Sequence, residues 1–374
     1  MIYKEYKGKQ LSALGLGAMR LPTCADGTID KAAAAEMVAY ALENGVNYFD
    51  TAWGYHNGQS EPVMGELLSA YPRESYLLAS KFPGYDLANI PKVAEIFEKQ
   101  LERCRTNYFD FYLFHNVCEL NLEAYLDPAN GIYDYLMAQK RNGRIRHLGF
   151  SAHADLPGMR RFLEAYGRDM EFCQIQLNYL DWSYQEAKEK IELLKEYGIP
   201  VWVMEPLRGG KLSNLGDAHV AALQAVRNES ATAVAFRFLQ AIPEVVVTLS
   251  GMSNMAQLQE NIATFSENKP LNGAEFSGIL AVADDMLKSL LPCTSCRYCT
   301  EYCPQELDIP RLLKLYNEHA FTGGRAIVST TLQKMPADKQ PSACIGCRSC
   351  EAVCPQKIGI SHAMADFAKR AKAL

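Results

Sequence analysis

The sequence predicts an α/β chain. A parallel (β/α)8 barrel is expected over residues 1–275, followed over residues 276–374 by a small, mainly helical domain. Two observations predict it. Through the first three quarters, brief β-rich runs alternate with longer amphipathic stretches about every thirty residues. Eight such alternations read as a closed parallel barrel, and roughly 270 residues is the usual size of that fold. The last quarter breaks the rhythm and carries eight of the 12 cysteines. A length of 374 residues also suggests two domains.

Residues 2–11 read as a two-stranded lid. Strand candidates follow at 14–21, 46–51, 76–81, 109–115, 145–151, 172–178, 201–205 and 245–250. Amphipathic stretches such as 31–44, 91–106, 185–197 and 255–265 lie between them. A doubly wound open sheet is the alternative, but no G-x-G-x-x-G follows the first strand. Residues 116–129 read as a loop long enough to cover a barrel site. A linking helix is expected over 276–291, and one helix over 310–319, broken by Gly323-Gly324. The stretch 362–374 reads as a last helix, its C-terminal end suited by Lys369, Arg370 and Lys372.

The net charge of −5 argues against a nucleic-acid partner. The opening residues show no basic stretch leading into an apolar run, so no secretory leader is expected. No apolar run is long enough to span a bilayer.

Cys293, Cys296, Cys299 and Cys303-Pro304 repeat as Cys344, Cys347, Cys350 and Cys354-Pro355. Both runs read C-x2-C-x2-C-x3-C-P, the bacterial ferredoxin spacing for a [4Fe-4S] cluster. Three thiolates on a tight loop can each take one iron corner. The fourth has left the loop and, in two-cluster modules, serves the other cluster. The expected sets are therefore Cys293, Cys296, Cys299 with Cys354, and Cys344, Cys347, Cys350 with Cys303. Zinc hooks usually pair two C-x2-C units across a longer spacer, and disulfides need an oxidising compartment. Thiolates kept for iron imply a reducing cytoplasm. Cys24, Cys104, Cys118 and Cys173 read as small apolar residues.

Barrel function belongs at the C-terminal ends of the strands. Those ends offer Asp50, Lys81, His115, Ser151, Asn178, Glu205 and Ser250-Gly251, with Tyr55 five residues beyond Asp50. A lysine beside a carboxylate and a tyrosine forms a proton-delivery set, since the ammonium favours the ionised phenol. Alone, Asp50 and Lys81 could be a structural ion pair, Tyr55 a packing residue and His115 a satisfied core histidine. Together at consecutive strand ends they point to catalysis. Trp53, His56, Phe82, Tyr85 and Trp182 are candidates for a pocket wall.

These residues resemble the aldo-keto reductase family. The likeness rests on Phe49-Asp50-Thr51-Ala52 with Tyr55, on Lys81 in SKF, on His115 in FHN, and on GFSAH, QLNY, EPLRGG and QEN further along. The whole chain resembles the branch with a C-terminal ferredoxin-like module. The resemblance implies that Tyr55 protonates a substrate carbonyl while a nicotinamide delivers hydride, with Lys81 and Asp50 tuning Tyr55 and His115 orienting the carbonyl oxygen. It implies that Ser151, Gln176 and Asn178 hold the nicotinamide carboxamide region, and that Met204 stands where an aromatic often stacks. The phosphate-binding positions would be Gly251, Met252, Ser253, Gln257 and Asn261. The family's Lys-Ser pair and arginine are absent from that stretch, which leaves NADP or NAD open. A cluster moves one electron and a carbonyl needs two, so the nicotinamide or a flavin would have to stand between them; nothing indicates the flavin itself. Expected partners are a small carbonyl or alcohol substrate and a ferredoxin-like electron-transfer protein. An electron-transfer protein, or an iron–sulfur sensor on an inert barrel, is the alternative reading.

Overall fold

The computed structural model describes residues 1–374 apart from 289, 294, 295, 323–325, 373 and 374. It divides into two compact units, Met1–Leu280 and Ala281–Leu374.

The first unit opens with an antiparallel hairpin, β1 (Tyr3–Tyr6) and β2 (Lys9–Ser12). Gly8 turns it with a positive φ of 78°. Eight parallel strands then close a barrel: β3 (Leu14–Gly17), β4 (Tyr48–Asp50), β5 (Leu77–Phe82), β6 (Phe109–Val117), β7 (Ile145–Ala152), β8 (Cys173–Gln176), β9 (Val201–Met204) and β10 (Val245–Ser250), with β10 returning to β3. All eight lie within or across the expected runs, because strands buried on both faces read as continuous apolar stretches. The register pairs Gly17 with Asp50 and Asp50 with Ala79, so the strands finish near one level.

The helix Met255–Phe265 has the expected bounds, and Lys31–Glu43, Val93–Arg103 and Ala187–Glu196 fall inside theirs. Residues 116–129 are not a bare loop. They hold the helix Leu122–Leu126 and a turn at Pro128–Asn130. Asn121 organises them, accepting from Cys118 N and donating to the carbonyls of Asn116 and Gly84. The linking helix starts earlier than expected, at Gly273–Leu287, because Asn272 Oδ1 accepts from the backbone of Ala274 and Glu275.

The hairpin closes the N-terminal end of the barrel. Tyr6 and Leu11 join Tyr48, Phe111, Phe172, Trp202 and Val247 in one buried cluster. Tyr6 stands edge-on to Trp202 with centroids 5.1 Å apart, and its hydroxyl donates to Glu171 O at 2.7 Å. The Glu171 carboxylate gathers Lys7 (2.7 Å), His147 (2.6 Å) and Lys140. Burial pushes this carboxyl up, but the hydrogen bonds from His147, Lys140 and Lys7 outweigh it and bring it down to about 2.

In the second unit the helix Ile309–Thr322 covers the expected stretch. A second helix, Ala326–Lys334, was not expected there, and the last helix is Ile360–Ala371. The expected break at Gly323-Gly324 falls outside the described residues.

A carboxyl held below its unfolded value stabilises the fold above that value and loses the effect as pH falls. Glu171 should therefore contribute fully above about pH 4.5 and lose its contribution towards about pH 2. All three tryptophans (Trp53, Trp182, Trp202) lie in the barrel, so their fluorescence reports its unfolding. In a pH series of thermal melts, Glu171→Gln should fall below the unaltered protein at neutral pH and converge with it near about pH 2.

Candidate active site

Two neighbouring strands build the centre of the barrel mouth. Alternation along β5 turns Lys81 inward and Ser80 outward. Lys81 is wholly buried, and its Nζ donates to Asp50 Oδ1 at 2.5 Å and to Thr51 O at 2.8 Å. It reaches the Tyr55 hydroxyl at 3.4 Å. Burial pushes Lys81 down, but Asp50 and Tyr55 outweigh it and keep the ammonium charged; for Asp50 burial wins, and its carboxyl stays above the ordinary value despite Lys81. Thr51 Oγ1 pairs with Ser60 Oγ at 2.8 Å, which donates to Ala18 O and so fixes the backbone beside Lys81.

Tyr55 sits on a short turn whose next two residues, His56 and Asn57, are both left-handed (φ 50° and 54°). His56 Nε2 accepts from Leu21 N at 3.1 Å and ties this turn to the loop after β3. A Cβ at Gly54 would lie 2.3 Å from the Tyr85 hydroxyl, so any side chain there would displace Tyr85. Burial raises the Tyr55 phenol above its ordinary value; Lys81 pulls it down without overcoming burial, and Asp50 and Glu205 push it up. The expected pull of Lys81 towards the ionised phenol is present, but the net shift is upward, a correction to the expectation of a stronger acid near neutral pH.

His115 lies where the β6–β7 register shifts between Phe114 and Val117. A bulge re-aims side chains at strand ends. The imidazole stands edge-on to Tyr55 at 6.0 Å and to Tyr85 at 5.1 Å. Burial, then Lys81 and His153, hold it well below its ordinary pKa, so it is neutral at pH 7. Among the described residues its Nδ1 is buried without a hydrogen-bond partner.

Sequence reasoning missed the support behind Lys81. Ser80 donates to buried Glu61 at 2.7 Å. Gln100 Nε2 donates to the same oxygen at 2.6 Å and to Lys81 O at 3.0 Å, and Tyr112 donates to Gln100 Oε1. It also missed a second buried pair. Arg208 Nε lies 3.1 Å from both Asp181 oxygens, and Asp181 Oδ2 accepts from Gln176 Nε2 (2.8 Å) and Asn178 Nδ2 (2.6 Å). Such residues carry no mark in a sequence, since helix positions 61 and 100 read as ordinary polar faces.

The other expected positions sort as follows. Asn178 also donates to Glu205 O and accepts from Leu180 N and Asp181 N, so its amide serves the fold. Ser151 Oγ accepts from Asn116 N at 2.7 Å, and Met204 is half-buried at the end of β9. Gly251 and Ser253 are exposed, Met252 is buried, Gln257 bonds back to Ser253 N, and Asn261 donates to Ser250 Oγ. Met252 therefore offers only backbone. Arg20, not foreseen, lies along Gly251 and points to Glu205 at 4.0 Å. Of the five wall candidates Tyr85 stays beside the tetrad of Asp50, Tyr55, Lys81 and His115. Phe82 is core, Trp182 packs edge-on against Phe238 and Phe276, Trp53 lies under Arg103, and His56 holds its turn.

In the second unit the cysteines line two hollows. One is bordered by Cys293, Cys296, Cys299 and Cys354, the other by Cys303, Cys344, Cys347 and Cys350. Burial, then Cys293, Cys296 and Cys354, push the Cys299 thiol up to about 11. Among the described residues no three thiols already converge on a single-ion site. Four soft sulfur donors around each hollow suit an iron–sulfur cluster. Outside these sets Cys104, Cys118 and Cys173 are buried, whereas Cys24 is exposed, contrary to expectation.

An eight-stranded parallel barrel with a lysine–tyrosine–histidine mouth and a cysteine-rich second unit defines an oxidoreductase class. Residues 13–284 match the Aldo/keto reductase family, and the chain belongs to it; residues 292–358 match the 4Fe-4S dicluster domain. An L-galactose dehydrogenase of Arabidopsis thaliana is 25% identical over 71% of this chain and 87% of its own length. An NADH-specific methylglyoxal reductase of Escherichia coli is 26% identical over 54% of this chain and 66% of its own. A solved aldo-keto reductase from Klebsiella pneumoniae in complex with NADPH shares the fold at TM-score 0.62 and 20% identity, covering 76% of this chain and 96% of that one. No helix among the described residues is long and apolar enough to cross a membrane.

Lys81→Met removes the one charge that pulls Tyr55 down, so the phenol should titrate higher still. Tyrosine labelled with 13C at the ring, assigned against Tyr55→Phe, would read this by NMR; an unchanged or lower titration point would contradict the geometry's electrostatics.

Proposed function

We propose that this chain is a reversible carbonyl reductase in which Tyr55 is the general acid. The observation that carries the reading is the buried Lys81 ammonium, bonded to Asp50 and 3.4 Å from the Tyr55 hydroxyl. Bound NADPH or NADH supplies a hydride to the carbonyl carbon. Tyr55 gives its proton to the carbonyl oxygen as charge builds there, and Lys81 stabilises the phenolate left behind. Asp50 and Thr51 O keep the ammonium aimed. Neutral His115 has Nε2 left to donate a hydrogen bond to the same oxygen, orienting it.

The residues fit a nicotinamide. With its amide nitrogen committed to Asp181, Gln176 keeps its oxygen as an acceptor for a carboxamide, beside Ser151, while Asn178 positions the loop. Met204 can pack against a ring face. The exposed backbone of Gly251 and Ser253 precedes the helix Met255–Phe265, whose N-terminal end suits a phosphate. Gln257 offers no cation for a 2′-phosphate, so both NADH and NADPH are assigned as donors.

A second reading adds to the first: electrons also pass one at a time through two [4Fe-4S] clusters to a ferredoxin-like protein. The two four-thiol hollows favour it, since one cluster would suffice to staple a domain this small. Metal-bound thiolates suit a reducing cytoplasm. The assembled tetrad speaks against a non-catalytic sensor.

Tyr55→Phe should slow the chemical step about a hundredfold or more, measured as single-turnover NADPH oxidation with a simple aldehyde; unchanged turnover would remove the mechanism. Cys303→Ser should deplete mainly the cluster of Cys344, Cys347 and Cys350. If iron content and electron paramagnetic resonance instead show loss of the Cys293 set, the crossed assignment fails.

A further inference from the structure

The second unit is an internal repeat. Its eight ligand-type cysteines, the prolines after them, and Leu307/Ile358 and Ile309/Ile360 all recur 51 residues apart. The backbone repeats too. Arg297 and Arg348 are both left-handed (φ 66° and 63°), as are Glu306 and Lys357 (φ 50° and 52°). A repeat this regular makes its differences informative.

One difference is electrostatic. Arg297 pairs with Asp308 at 3.4 Å. The residue 51 positions after Asp308 is Gly359, so Arg348 loses the corresponding acid. Among the described residues Arg348 forms no ion pair. Its charge reaches only as far as Glu351, whose carboxylate is held first by the Ser361 hydroxyl and N–H at 2.5 and 2.7 Å.

The other difference is apolar. Tyr302 and Ile345 are 53% and 63% exposed, and both border the hollow of Cys303, Cys344, Cys347 and Cys350. In the other cysteine loop Tyr298 is 60% exposed but does not border the hollow, so among the described residues that rim has no exposed apolar pair. The chain is also polarised. Residues 292–374 carry 11 Lys and Arg against 7 Asp and Glu, a net of +4, while residues 1–291 carry 27 against 36, a net of −9.

We propose that the rim of this second hollow, formed by Tyr302, Ile345 and Arg348, is the docking surface for a small acidic one-electron carrier protein. The inference rests on the electron-transfer reading above. An apolar centre with an exposed cation at its edge is the build of a transient interface, where charge steers and apolar contact holds. An acidic partner is drawn to the positive unit and repelled by the negative barrel. In the transfer one electron leaves a reduced cluster and enters the carrier's oxidised centre, or the reverse; no bond or proton moves.

The test uses the holoenzyme and an oxidised, small acidic ferredoxin, with binding measured by titration calorimetry at low salt. R348E should weaken binding about tenfold or more, while R297E, the repeat-mate already paired with Asp308, should change it far less. Cluster absorbance and aldehyde reduction by NADPH should be retained in both. Hydrogen exchange on the unaltered holoenzyme gives a reading independent of any substitution. Protection of residues 302–307 and 344–349 on adding the ferredoxin supports the proposal. Protection confined to the barrel, or to residues 293–299, overturns it, as would equal losses for R297E and R348E. Absence of binding by the unaltered protein overturns it while leaving the Tyr55 mechanism, tested by aldehyde reduction, untouched.

Discussion

A buried ammonium has to be compensated, and the barrel mouth is arranged around that demand. Taking Lys81 out of water costs several kcal/mol, by order of magnitude, and Asp50, Thr51 O and Tyr55 repay it only from their present positions. That requires β4 beside β5 in the register that sets Asp50 against Ala79. It also requires Ser80, on the opposite face, to meet Glu61 and Gln100. A slip of one residue would turn Lys81 into the helix layer and Ser80 into the mouth. The polar network behind β5 is therefore as much a part of the tetrad's geometry as the tetrad itself.

Strain gathers at the same end of the barrel. His56, Asn57, Asn116, Glu205 and Arg208 are left-handed without being glycine, and all lie at or just beyond the C-terminal ends of strands. Each such backbone costs on the order of 1–3 kcal/mol. The opposite end is where stability is concentrated, in the aromatic cluster under the hairpin and in the cations around Glu171. A plugged, rigid floor lets the rim keep conformations that a looser barrel would relax.

The eight strands were legible because strands buried on both faces leave continuous apolar runs, and the four tetrad residues because strand ends converge whatever the helices do. The cysteine sets were legible because ligand spacing is a local property. What stayed hidden depends on distant partners. Glu61, Gln100 and Tyr112 meet only once helices dock on β5, and Asp181 and Arg208 only once two loops close. The direction of the Tyr55 shift was hidden for a related reason: sequence shows the neighbouring charge but not the depth of burial opposing it. Residues 116–129 misled because the Asn121 side chain, not periodicity, folds that segment.

The two units differ in what their cores are made of. In the barrel, side chains fill the interior and the mouth sits on top of a completed core. In the second unit the core residues Leu307, Ile309, Ile358, Ile360 and Met364 are themselves packed against the cysteines that border the hollows. Core packing and donor geometry are there one and the same arrangement, and each hollow takes three thiols from one repeat and the fourth from the other. Loss of either cysteine set removes a tie between the repeats. Iron bound there would couple metal binding to folding, whereas the barrel is held by burial of its own side chains.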